Sequence, residues 1–416
     1  MSTSRSDSAA TRSATRASSS ASSGRLTICT KSARMFSGAV MMRDVLPSLS
    51  AAGTHSTSDP SSVARRARAA LHPAPAALRR RLIAWYRRNA RPLPWRGTRD
   101  PYRIWVSETM LQQTRVATTR DYYKAFLARF PTLDSLARAR SQDVLAAWSG
   151  LGYYRRARHL HDAARVVVRD HAGRVPRDPA AFRALAGVGR YTMGAVLSLA
   201  FDRPLAVLDG NVARVLSRLF ALRAAVRDPR GARRLWTLAE ALVPERGARD
   251  WNQALMELGA TVCVPRAPRC TACPVRALCR ARAMGRVSAF PPVVARRAPV
   301  EVRRAVALIA RDGRLLMARR EGPLLEGLWE PPGVDLGRGA SVRAQLEAAL
   351  ARIGVRARLK PSGRSVRHVI THSQITVALW RGEPVTPVSP SARLRWVDPG
   401  RARVPLTALA RRLTAV

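Results

Sequence analysis

Two carboxylates and four thiols are the side chains of this sequence whose types and spacing could do chemistry. Glu108 sits in Ile104-Trp105-Val106-Ser107-Glu108-Thr109-Met110-Leu111. On a helix Ile104, Glu108 and Leu111 share one face. A lone carboxyl in an apolar stripe loses hydration, and its pKa rises toward the range in which a general acid works at neutral pH. The alternative is a surface glutamate on a shifted helical face. Asp209 directly precedes an apolar set at helical spacing: Val212, Val215, Leu216 and Leu219. Asp is a favoured N-cap, and a carboxylate at a helix N-terminus stays ionised. The capping role is compatible with a chemical one, because an oxocarbenium-like transition state requires an ionised carboxylate beside it.

The thiols are Cys263, Cys270, Cys273 and Cys279, separated by six, two and five residues, while Cys29 stands alone. Such clustering predicts a metal centre in a reducing compartment rather than a disulfide framework. Four thiolates complete either a zinc site or an iron–sulfur cluster. Structural zinc usually takes two short Cys-x(2–4)-Cys pairs, and only one pair here is that short. Arg266, Arg269, Arg276 and Arg280 make the loop basic, as a phosphate grip would be. A second phosphate-binding element is Leu185-Ala186-Gly187-Val188-Gly189-Arg190-Tyr191-Thr192. Gly187 and Gly189 allow a tight turn and close backbone approach, and the turn feeds a helix whose free N–H groups suit an anion.

These groups must be positioned by a chain of 416 residues, long enough for two or three domains. Its formal net charge of +46, supplied mostly by arginine, calls for a polyanionic partner, and nucleic acid is the natural one. No run of eighteen apolar residues occurs, so neither a transmembrane helix nor a membrane partner is expected. Residues 1–75 are rich in Ser, Ala and Arg. They read as a disordered extension, as an organellar transit peptide, or as sequence upstream of a true start at Met41 or Met42. Residues 76–285 carry helical periodicity, and residues 286–301, with Pro291 and Pro292, read as a linker. From 302 to 416 the pattern is α/β. An apolar run over Ala305–Ala310, an Asp312-Gly313 turn and Leu315–Ala318 predict a hairpin. A helix over Val342–Ile353 and a strand near Ile375–Trp380 follow.

Three further segments carry a resemblance: Val106-Ser107-Glu108-Thr109-Met110-Leu111-Gln112-Gln113-Thr114-Arg115-Val116, Gly150-Leu151-Gly152-Tyr153-Tyr154 and Leu208-Asp209-Gly210-Asn211-Val212. With the cysteine loop, they resemble the hallmark segments of the adenine DNA glycosylase (MutY) family, of the helix-hairpin-helix superfamily that includes endonuclease III. The resemblance runs from about Leu82 to Cys279. It implies an all-α core, with a six-helix helix-hairpin-helix part over about 97–208. The iron–sulfur part is drawn from 76–96 and 209–285, with a [4Fe–4S] cluster on Cys263, Cys270, Cys273 and Cys279. The implied activity is monofunctional hydrolysis of the N-glycosidic bond of adenine opposite 8-oxoguanine or guanine in duplex DNA, in base excision repair. Glu108 would protonate adenine N7. Asp209 would stabilise or trap the ribosyl cation, assisted by Tyr191 and Asn211.

By the same resemblance Leu93, Trp95 and Arg96 line the adenine pocket, and Arg91 and Gln253 hold further pocket positions. Gln113 and Tyr153 match residues that wedge into the duplex as the base is extruded. Without the resemblance Gln113 reads as an exposed helix residue and Tyr153 as a helix-capping aromatic. Bifunctional relatives carry a Schiff-base lysine where this chain has Tyr191, so strand cleavage is expected to be weak or absent. The local alternative for Tyr191 is simple packing at the start of a helix. Residues 302–416 resemble the family's Nudix-like damage-recognition domain, most recognisably at Gly327-Leu328-Trp329-Glu330-Pro331-Pro332-Gly333. The following helix has a single glutamate, Glu347, so diphosphate hydrolysis through Mg²⁺ is not expected. Ile370, Thr371 and His372 match a Phe-Ser-His segment that contacts 8-oxoguanine. Thr371 and His372 keep the hydrogen-bonding groups, and Ile370 replaces the aromatic. A cytoplasmic, nucleoid-associated monomer is expected, with organellar targeting by the N-terminal extension as the alternative.

Overall fold

The computed structural model describes residues 74–293, 298–322, 325–370, 372–402 and 404–414. The extension assigned to 1–75 therefore lies outside the described residues apart from its last two positions, and Thr371 lies outside them as well.

The described residues open on α1 (Pro75–Asn89) and continue through α2 (Pro101–Leu111), α3 (Val116–Arg129), α4 (Leu133–Arg138), α5 (Ser141–Ala147), α6 (Arg155–Asp170), α7 (Pro179–Arg183), α8 (Arg190–Phe201), α9 (Gly210–Leu219), α10 (Pro229–Leu242), α11 (Ala248–Thr261) and α12 (Arg280–Ala283). Their starts are written locally. Asp100, Asp178 and Asp228 each accept backbone N–H bonds just before a helix that opens on Pro, which needs no donor there. Trp105, Trp148, Phe126, Phe182, Leu160 and Leu197 fill the core of the α2–α8 bundle. Trp105 meets Phe182, and Phe126 meets Trp148, edge to face. The polypeptide then turns back: α11 packs on α1, α8 and α9. Segments remote in sequence, 91–96 and 248–261, thereby meet at Glu257.

The helix carrying Glu108 departs from the expected single apolar face. Tyr102 and every residue from Ile104 to Met110 are buried, while Leu111 is only partly so. Its amphipathicity is weak because α3, α6 and α8 surround it, and a helix covered on all sides needs no polar face. Glu108 is therefore buried by neighbours, not by its own stripe.

The C-terminal part is a seven-stranded mixed sheet in the order β3-β2-β1-β6-β5, with β4 on β1 and β7 on β2. Strands β1 (Val300–Arg311) and β2 (Arg314–Arg319) form the predicted hairpin. Asp312 and Gly313 both have positive φ, 50° and 68°, as a two-residue turn of matching twist demands. β3 (Trp329–Glu330), β4 (Gly333–Asp335), α13 (Val342–Arg352), β5 (Ala357–Ile370), β6 (Ser373–Pro384), β7 (Leu394–Val397) and α14 (Ala408–Thr414) complete it. β1 pairs in parallel with β6, which places a crossover containing α13 between them. Strand structure begins at Val300, so the residues expected to be linker end earlier than 301. The two parts touch directly. Leu328 is fully buried in the helical core, and the Trp329 indole donates to Gln142 Oε1. The hydroxyls of Ser149 and Tyr154 both donate to the Leu406 carbonyl.

Candidate active site

A cavity of about 680 Å³ opens among α2, α8, α9, α11 and the 91–96 segment. Glu108 and Asp209 both line it. Glu108 is only 4% exposed and accepts a 2.8 Å hydrogen bond from the Tyr191 hydroxyl. Burial pushes its carboxyl up to about 7; the Tyr191 bond pulls the other way, and the nearby Asp209 charge pushes it further up. Burial, and the Glu108 charge after it, hold the Tyr191 phenol well above 10, so Tyr191 remains a neutral donor. The expected assistance from Tyr191 to Asp209 thus goes to the other carboxylate, because the start of α8 faces the middle of α2.

Asp209 caps α9. Its Oδ1 accepts from the Val212 amide at 2.7 Å and its Oδ2 from Asn211 Nδ2 at 2.9 Å. The helix N-terminus favours negative charge there. The Asn211 amide is itself oriented, since Arg214 Nη2 donates to Asn211 Oδ1 at 2.9 Å and to the Gly259 carbonyl at 2.8 Å. The same guanidinium donates through Nε to the Cys263 carbonyl. One arginine therefore spans from the partner of the Asp209 carboxylate to the cysteine loop.

Leu93, Trp95, Arg91, Arg96 and Gln253 also line the cavity. Leu93 and Trp95 are buried, with Trp95 edge-on to Tyr123. The two guanidiniums converge on Glu257, whose side chain is fully buried. Arg91 donates through Nε at 2.8 Å and Nη2 at 2.7 Å, and Arg96 Nη2 donates to the same carboxylate. Burial alone would raise the Glu257 carboxyl, but these bonds override it and bring it down to about 2. The arginines are thereby held as a fixed cationic wall.

On the outer face, Gly187 and Gly189 are exposed in the turn before α8 and line the cavity mouth. Gly187 has φ +75°, and a Cβ there would stand 2.6 Å from the His159 Cβ, so glycine is required. Gly189 has an extended backbone and open space around it; it starts α8 with no side-chain cap, leaving first-turn amides for an external anion. Gln113 lines the same cavity, and both Gln113 and Tyr153 are exposed. His372 lies exposed in the β5–β6 turn and is not among the cavity-lining residues.

Cys263, Cys270, Cys273 and Cys279 surround a small separate cavity, all as free thiols. Arg218, almost fully buried, points Nη1 at Cys263 Sγ (3.4 Å) and bonds the Val264 and Pro265 carbonyls, which fixes the loop. Burial raises the Cys273 thiol to about 11 and raises Cys279 too. Among the described residues, no three His, Cys, Asp or Glu side chains are set to hold a single metal ion.

Residues 106–243 match the family described as HhH-GPD superfamily base excision DNA repair protein, and residues 304–415 match the NUDIX domain family. A mouse protein named adenine DNA glycosylase is 37% identical over 385 residues, covering 77% of this chain and 74% of its own length. The chain belongs to the adenine DNA glycosylase family. The human member is 37% identical over 382 residues, 76% of this chain and 70% of its own. For the rat member the figures are 41% over 313 residues, 62% of this chain, and the match spans 61% of the relative's length.

Three side chains in this family member escape sequence reasoning. Glu257 follows Gln253 by one helical turn on α11, a carboxylate in an otherwise apolar stretch, and that was the available signal. Arg214 and Arg156 carried none, because arginine is everywhere in this chain. In the NUDIX-family part, Glu330 is buried and engaged by Arg304 and Arg320, while Glu347 is exposed on α13.

Proposed function

We propose that this chain hydrolyses the N-glycosidic bond of adenine mispaired with 8-oxoguanine or guanine in duplex DNA. The observation that carries this is a buried Glu108, its carboxyl pushed up to about 7, sharing one cavity with the helix-capping carboxylate Asp209. Opposite charge states on two carboxyls are what glycosidic cleavage needs. The Glu108 proton goes to adenine N7 as the N9–C1′ bonding pair leaves with the base. Positive charge developing at C1′ is met by Asp209, which Asn211 and the Val212 amide orient. Water then adds to C1′ and returns a proton to the Glu108 carboxylate. Tyr191 has no amine, so no imine forms and strand cleavage stays slow. Arg91, Arg96 and Gln253, with Leu93 and Trp95, would receive the extruded base, and Gln113 and Tyr153 would fill the gap it leaves.

The four thiols fit a [4Fe–4S] cluster. They surround one cavity as free thiols, and four thiolates are the donor set that such a cluster takes. Cys263, Cys270, Cys273 and Cys279 would hold it, and it would supply a rigid, charge-neutralised anchor for the basic loop. Thr371 and His372 are assigned the opposite base. With Glu330 neutralised by arginines and Glu347 the single glutamate of α13, the C-terminal part reads DNA rather than hydrolysing diphosphates.

The deciding experiment is single-turnover base release from adenine opposite 8-oxoguanine, guanine, cytosine and thymine, run beside a thymine-glycol duplex. Preferential release of adenine opposite the first two is expected. Preferential thymine-glycol removal with strand nicking would overturn the assignment.

A further inference from the structure

Gln113 and Tyr153 share an unusual backbone. Their φ values are 59° and 49°, and both residues are exposed. A residue with a side chain keeps that left-handed conformation only where its surroundings enforce it, and burial does not do so here. What the two loops have in common is Arg156. Its Nη1 donates to the carbonyls of Thr109 at 2.8 Å and Met110 at 2.9 Å, and to that of Gln112. Nη2 donates to Thr114 Oγ1 and to the Gly152 carbonyl, both at 3.1 Å, and Nε to the Tyr153 carbonyl at 3.4 Å. The guanidinium also lies 5.5 Å from the ring centroids of Tyr153 and Trp148. Arg156 thus grips the residues on both sides of Gln113 and the backbone of Gly152 and Tyr153. The carbonyls it takes at the end of α2 are the ones a helix leaves unpaired.

We propose that Arg156 is a positioning residue that ties the Gln113 and Tyr153 loops into one wedge, so that both side chains enter the duplex together as the base leaves. This rests on the reading of those two residues as wedges. The planar five-donor fork is essential, since a lysine ammonium cannot reach both loops at once. Because the same fork closes α2, the wedge and Glu108 one turn away share an anchor.

The test uses the full chain with Arg156→Lys and two duplexes. In one the target adenine is paired; in the other the same adenine faces an abasic-site analogue and is already unstacked. Single-turnover release is measured on both, and 2-aminopurine at the target reports extrusion. Release from the paired duplex is expected to fall by about 100-fold, the scale of a misplaced positioning group, with the fluorescence rise lost. Release of the unstacked adenine should fall by roughly tenfold or less, since extrusion is then no longer limiting. Loss of folded protein would lower both rates alike, so their ratio is the readout. An equal fall on both duplexes, or none, overturns the tie. Tyr153→Ala runs in parallel. If it spares the paired duplex, the wedge reading itself fails; if it slows that duplex while Arg156→Lys does not, only the tie fails.

Discussion

Replacing Glu108 with Gln should disable base release and also stabilise the fold, by an amount that grows from about pH 4.5 and levels off above about pH 7. Burial moves the Glu108 carboxyl from 4.5 to about 7. At about 1.4 kcal/mol per pH unit, ionising it in the folded chain carries a penalty of about 3 kcal/mol. The sign follows from which state binds the proton more tightly. Below pH 4.5 both folded and unfolded chains hold it, and the group adds no penalty. Between 4.5 and 7 the unfolded chain releases it first, so stability declines as pH rises. Above 7 the penalty is complete. Glutamine never ionises, and its carbonyl still accepts from Tyr191. Melting the wild type and Glu108→Gln side by side should therefore show a gap that widens from pH 5 to pH 8 in favour of the variant, by about 3 kcal/mol at most. Rapid-quench assays should show release reduced by at least about 10³-fold, since the general acid is gone. A stability gap that does not change with pH would refute the buried, protonated Glu108, and retained release would refute its role as acid.

Asp209→Asn should keep the α9 cap, because Asn caps as well as Asp, yet lower single-turnover release by roughly 10²–10³-fold through lost charge; a matching fall in melting temperature would point to folding instead. Tyr191→Phe deletes the bond that lowers the Glu108 carboxyl, so the alkaline limb of the pH–rate profile should move to higher pH, and a limb that stays or moves down contradicts the geometry. Gly187→Ala puts a Cβ against His159 at φ +75° and should cost about 1–2 kcal/mol of stability while weakening duplex binding, both read by melting and gel shift. Duplex affinity should fall steeply with salt, log K dropping by about 0.9 per phosphate contact for each tenfold rise in concentration, and a flat response would detach the +46 charge from DNA.

Much of the local architecture is legible because its causes are local. Asp209 before an apolar helical repeat predicts the cap that the structure shows. Asp312-Gly313 predicts a hairpin because both positions need positive φ. Strand β5 is not legible in the sequence, since its Arg, Pro and Gly content hides a strand that is mostly exposed and stabilised by pairing with β6. Cysteine spacing marks the loop that gathers four thiols but carries no sign that Arg218 and Arg214 hold it from α9.

Residue types and short spacings by themselves determined the helix that carries Glu108, the cap at Asp209, the cysteine cluster, the turn at Gly187 and the switch to an α/β tail. Each depends on contacts within about one or two turns of chain. Tertiary structure alone decided the states of those groups. Glu108 became an acid near pH 7 because α3, α6 and α8 enclose α2, not because of an apolar stripe. Tyr191 was assigned to it rather than to Asp209 by the packing of α8 on α2. Arg91 and Arg96 became a fixed wall because Glu257 arrives from more than 150 residues away. Desolvation and charge pairing depend on which surfaces meet, and long-range packing sets that.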